Sequence, residues 1–166
     1  MASEPKRDAY AALRYPEFVC LLGGSFLLTL GLQIQQIALA YEIYLVTRDP
    51  LSLGLIGLAE AVPFISLALF GGHFADRLDK RRILRISIAV ILLSSTVLAL
   101  ISWAPLRAHL SQHAWLIAAY ATIAVLGFAR GFYAPAMSSL RAFLIPRAIY
   151  GNGATWSSTF WQAAAR

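Results

Sequence analysis

The sequence predicts an all-α integral membrane protein with about four transmembrane helices and the start of a fifth. Three observations predict it. The 166 residues are 59% hydrophobic and 13% charged, against about 45–50% and about 25% in soluble domains, which leaves too little polar surface to cover a soluble fold. The apolar residues lie in long runs, and about 20 consecutive apolar residues cross a ~30 Å hydrocarbon core as a helix. The cations gather in the connections between those runs. The net charge of +6 therefore reads as membrane topology rather than as a nucleic-acid-binding face, and no nucleic-acid partner is expected. Cys20 is the single cysteine, which excludes an intramolecular disulfide and a cysteine-rich metal site.

Residues 1–17 form a polar N-terminal segment carrying Lys6, Arg7 and Arg14. The apolar run that follows is too long for a signal-peptide core and is expected to stay in the protein. The first span is predicted over 18–46. It holds Gln33, Gln35 and Gln36 near its middle, and Gln33 and Gln36, three apart, share a helix face. Amides facing lipid lose hydrogen bonds, so this pair should face protein or a water-filled cavity, either as inter-helix glue or as the lining of a substrate cavity. Tyr41, Glu42 and Tyr44 mark the approach to the far interface.

Thr47-Arg48-Asp49-Pro50 is a tight connection, with Pro50 suited to a helix start. The second span is predicted over 51–74. Gly54, Gly57 and Ala61 offer a small face for a neighbouring helix, and Pro63 should bend the helix. Glu60, an ionisable residue well inside the span, is a functional candidate by default; the competing reading is a protonated or hydrogen-bonded structural acid. The third span, 83–103, carries Ser94, Ser95 and Thr96, whose hydroxyls can be satisfied by carbonyls of the preceding turn. Residues 104–114 read as a short loop, and its His109 and His113 lack a third ligand for a metal. The fourth span is predicted over 115–137, continuing past Pro135 to about Arg141. Arg130 lies within it, in Gly127-Phe128-Ala129-Arg130-Gly131. A guanidinium there needs a carboxylate, carbonyls or water, unless it snorkels to the near interface. Transmembrane helices 1–4 thus occupy residues 18–146, and 147–166 read as a loop and the incomplete start of a fifth helix.

The positive-inside rule orients these spans. Lys6, Arg7 and Arg14 precede the first; Arg77, Lys80, Arg81, Arg82 and Arg85 lie between the second and third; Arg141 and Arg147 follow the fourth. The opposite side carries Arg48 and Arg107. The N-terminus and the loop at Asp76 are therefore expected in the cytoplasm.

The charged loop carries a specific pattern. Gly72-x-Phe74-Ala75-Asp76-Arg77-x-x-Lys80-Arg81-x-x-Leu84 resembles the signature between helices two and three of the major facilitator superfamily. It matches at Gly72, Asp76, Arg77, Lys80 and Arg81. It departs at Asp79, where glycine is usual, and at Phe74, where leucine is commoner. Arg130 resembles the superfamily's helix-four arginine, although Ala134 stands where that motif usually has glycine. Gln35-Gln36, Asp49-Pro50-Leu51 and Ala59-Glu60-Ala61-Val62-Pro63 resemble the efflux branch that includes enterobactin-exporter-like and drug-antiporter-like members.

The resemblance implies part of a twelve-helix fold, with this chain as the N-terminal portion of a secondary active transporter. The activity implied is proton-coupled efflux of an amphipathic small molecule, drug- or siderophore-like, by alternating access across a bacterial inner membrane. Gly72, Asp76, Arg77, Lys80 and Arg81 would form a conformational latch. Glu60 and Arg130 would carry charge or proton coupling, and Gln33 and Gln36 would face the substrate. The expected partners are the lipid bilayer, the substrate, protons and the remainder of the transporter; no cofactor or metal is expected. The alternative is a non-transporting membrane fragment or a small helix-packing interaction protein, which transport by the chain alone would separate from the first reading. An enzyme has no support: no set of catalytic side chains shares one depth.

Overall fold

The computed structural model describes residues 10–75, 79–144, 146 and 150–165, and every regular element among them is helical. A 3₁₀ turn, Ala11–Arg14, precedes α1, Pro16–Thr47. Pro16 opens α1 where its missing N–H costs nothing, and Glu17 in the first turn suits the positive end of the helix dipole. Inside α1, the Ser25 hydroxyl donates to the Leu22 carbonyl at 2.9 Å and Thr29 to the Ser25 carbonyl at 2.8 Å, so these polar groups are satisfied locally. The helix stops at Arg48, whose φ of 53° is left-handed. Asp49 then accepts from the Leu51 N–H at 3.0 Å and starts α2, Pro50–Ala75, which runs on through Pro63.

Asp79 caps α3, Lys80–Ser102, by accepting from the Arg81 N–H. Its buried residues Leu84, Ser87, Ile91, Ser94 and Leu98 recur at alternating steps of three and four, one stripe on one face. Residues 104–114, expected as a loop, begin with a single turn, α4, Ala104–Arg107. Pro105 lies in its first positions, where no N–H is needed. The Arg107 and Ala108 N–H groups close the turn on the carbonyls of Trp103 and Ala104. α5, Gln112–Leu144, contains Pro135, and α6 is Tyr150–Ala165.

Pro16–Thr47, Pro50–Leu67, Lys80–Ser102 and Gln112–Arg141 are each long and apolar enough to cross a membrane. Large apolar side chains such as Ile34, Ile37, Leu93 and Ile117 are left uncovered by the rest of the chain. In water each such side chain would forgo about 1.5–3 kcal/mol of burial; in hydrocarbon it forgoes nothing. The protein is an all-α integral membrane protein.

The chain divides into two units. In one, Met1–Ile34 with Ser139–Arg166, Ala12, Phe18 and Leu22 are buried against Leu144, Trp156 and Phe160. Tyr10 meets Trp156 with ring centroids 5.8 Å apart, and Phe26 meets Phe160 edge-on at 5.7 Å. The 3₁₀ turn packs on α6, so the N-terminal segment is folded from Tyr10 onward. In the other unit, Gln35–Ser138, four helices share one core: Leu39 and Ile43 of α1, Ile56 of α2, Leu98 of α3, and Trp115, Ala119 and Ile123 of α5.

Candidate functional site

Helices in lipid gain nothing from hiding apolar surface against one another, because the tails are equally apolar. Close backbone packing and polar contacts must hold them together. Both occur where α2 meets α5. A Cβ placed on Gly127 would lie 2.4 Å from the Glu60 carbonyl oxygen and 3.0 Å from its Cα; one on Gly131 would lie 3.1 Å from the Leu67 Cβ. The two helices therefore touch along a Gly-x-x-x-Gly face of α5. Contacts advance together, from Ser52 with Tyr120 to Leu67 with Gly131, so α2 and α5 run parallel.

That contact brings the charges together. Gly127 lies against the backbone of Glu60, and Arg130, three residues on, reaches the same residue: its Nη1 donates to Glu60 Oε1 in a direct ion pair. The side chains are 28% and 19% exposed for Arg130 and Glu60. The pair is half-buried within the chain. Of the two readings of Arg130, the structure supplies the carboxylate. Pro63 lies three residues beyond Glu60 and Pro135 five beyond Arg130, so the two prolines lie on the same side of the pair, each removing a helix hydrogen bond.

Gln33 is half-buried, Gln36 is exposed, and neither hydrogen-bonds another described residue; Gln35 is half-buried. Gly72 lies in the last turns of α2. Asp76 and Arg77 fall outside the described residues. Lys80 is the first residue of α3, and the Arg81 N–H donates to the Asp79 carboxylate at 3.0 Å. Of the small face expected to receive a helix, Gly54 and Gly57 have open space among the described residues where a Cβ would stand, and Ala61 is half-buried. The close approach uses Gly127 and Gly131 instead, and their four-residue spacing was the available signal. Among the described residues no group of three or more His, Cys, Asp or Glu is placed to hold a metal.

A second charge pair went unread in the sequence. Arg107 Nη1 donates to Glu42 Oε1 at 2.5 Å, while its guanidinium lies 4.2 Å from the centroid of the Trp115 ring. Glu42 near the end of the first predicted span and Arg107 in the 104–114 connection fall on the same predicted side of the membrane, but nothing local links residues 65 positions apart.

Residues 7–159 match a family model described as transmembrane secretion effector. The staphyloferrin A transporter of Staphylococcus aureus (strain NCTC 8325 / PS 47) is 30% identical over 122 residues, covering 74% of this chain and 28% of the relative, so the chain spans little more than a quarter of that protein. No solved structure matches the chain. The family match runs from ahead of α1 into α6, and it takes in both partners of the intramembrane ion pair: the chain belongs to the transmembrane secretion effector family of the major facilitator superfamily, a family of transporters.

Proposed function

We propose that the chain belongs to a secondary active transporter that exports an amphipathic small molecule, drug- or siderophore-like, by proton-coupled alternating access across the bacterial inner membrane. The observation that carries this reading is the Glu60–Arg130 pair between two bilayer-length helices. The arginine keeps its charge at any accessible pH, so the carboxyl is the group able to switch the pair. A proton on Glu60 cancels the attraction and leaves Arg130 without its counter-charge. Removing one partner of a fully buried pair costs about 3–5 kcal/mol, an upper bound for this pair, which the rest of the chain covers only in part. Any conformation that offers Arg130 water or another acceptor gains by the difference. Proton binding then shifts the population toward it.

The remaining roles follow the same logic. Gly72, Asp76, Arg77, Lys80 and Arg81 act as the latch, making charge pairs in one state and releasing them in the other. Gln33 and Gln36 line the substrate path, with Gln36 uncovered in this chain. The N-terminus faces the cytoplasm. The relative named for staphyloferrin A supports a siderophore-like cargo.

The test uses the complete transporter in proteoliposomes, with staphyloferrin A and an amphipathic dye as alternative cargoes. Glu60→Gln keeps the shape of the side chain and should abolish the dependence of transport on an imposed proton gradient. Full retention of that dependence would make Glu60 structural. In the same preparation Asp76→Asn should change the inward-to-outward ratio, and an unchanged ratio removes the latch.

A further inference from the structure

Three side chains of α5 donate to backbone carbonyls of three different helices. Gln112 Nε2 reaches the Val46 carbonyl of α1 at 3.3 Å, Trp115 Nε1 the Ile101 carbonyl of α3 at 3.1 Å, and the Tyr120 hydroxyl the Ser52 carbonyl of α2 at 3.0 Å. All lie at the Arg48–Arg107 end of the Gln35–Ser138 unit. Trp115 is the hub: it is 1% exposed, its indole N–H holds α3, and its ring face carries the guanidinium of Arg107, which holds Glu42 of α1.

We infer that this end is a fixed clasp, positioned by Trp115, against which the far ends of α2 and α5 bend. This rests on the transporter reading above. The bending point follows from the backbone. Pro63 and Pro135 deprive the carbonyls four residues earlier, those of Ala59 and Gly131, of their helical partners, and both prolines lie beyond Glu60–Arg130 as seen from the clasp. Between clasp and prolines the helices are held by the Tyr120 bond and by the Gly127 contact, where backbone meets backbone. Beyond Pro63 the remaining close approach of the two helices is that of Gly131 to Leu67 and the Phe64 carbonyl, looser than that of Gly127 to the Glu60 backbone, and the hinge works against it. Release of the ion pair therefore moves the end of α2 that leads to the charged loop and the end of α5 that leads to α6, and leaves the clasped end as it was. Trp115 and Arg107 act at a distance from the pair: they are positioning residues that make one end of the unit a rigid reference.

The test measures spin-label distances in the full-length protein in nanodiscs, with Cys20 and any other native cysteine replaced. Leu45 and His113, both exposed, report on the clasp; Ser66 and Ser138, both exposed, report on the far ends of α2 and α5. Glu60→Gln, which imitates the protonated acid, should shift the Ser66–Ser138 distance by about 2 Å or more, the scale of helix shifts in switching proteins. The Leu45–His113 distribution should stay in place. Adding Trp115→Phe or Arg107→Leu should broaden the Leu45–His113 distribution, and Arg107→Lys, which keeps a cation over the ring, should largely restore it. Movement of Leu45–His113 with the clasp intact overturns the inference, as does a Ser66–Ser138 distance that Glu60→Gln leaves unchanged. Failure of the transporter reading shows separately, as a complete protein that moves neither cargo in proteoliposomes, with or without an imposed proton gradient.

Discussion

Gly54 and Gly127 are the same residue in the interiors of α2 and α5, yet alanine at the two positions should act with opposite sign. At Gly54 a methyl meets nothing within 4 Å, so Gly54→Ala gains the roughly 0.5–1 kcal/mol by which alanine exceeds glycine in a helix. At Gly127 the methyl meets the Glu60 backbone at 2.4 Å, and backbone has no rotamer with which to retreat. Overpacking of this kind costs about 1–3 kcal/mol, which should outweigh the helix gain and also pull Arg130 from Glu60. Unfolding of this chain by SDS titration in mixed micelles checks both: a Gly127→Ala protein as stable as Gly54→Ala would mean that α2 and α5 do not touch there. The residue scale also shows what a sequence conceals. Glu60 and Arg130 stood out as charges in apolar runs, and lipid makes such charges conspicuous. Their partnership did not, because helical periodicity says which face a residue occupies and nothing about what lies opposite.

At the scale of the element, Asp79 is instructive. It stands where the superfamily pattern usually has glycine, and in the structure it ends the charged connection by capping α3. A carboxylate at an N-cap satisfies an N–H that the first turn leaves unpaired, and replacing it by alanine typically costs about 1 kcal/mol, by glycine a few tenths. Asp79→Ala should therefore lower the stability of the chain by about 1 kcal/mol, and Asp79→Gly, the residue usual in the superfamily pattern, by much less. Equal losses would deny the cap. Helices were the legible part of this molecule, since apolar length is what a bilayer demands of them. The short turn α4 was not legible: four residues carry no period, and its Pro105 reads as a breaker unless the turn is known to start just before it.

For the whole molecule, the inference with the widest reach is orientation, and one helix suffices to test it. α3 has 23 residues, about 34 Å at 1.5 Å per residue, which matches a ~30 Å hydrocarbon core with little to spare. Arg82 in its first turn and His113 in the first turn of α5 are both exposed and have that single crossing between them. If cation asymmetry sets topology, Arg82 lies in the cytoplasm with Arg81 and Arg85, and His113 lies outside, beside the sparsely charged end that holds Arg107. In a Cys20→Ser background, a membrane-impermeant maleimide added to intact cells should label His113→Cys at once and Arg82→Cys only after permeabilisation. The reverse pattern would invert the protein and put the charged loop outside. Labelling of both from one side would deny that α3 crosses, which its uncovered Leu92 and Leu93 forbid in water. The clasped end, with Glu42, Arg107 and Trp115, would then be the outward one, and the bending ends of α2 and α5 would face the compartment from which an exporter takes its cargo.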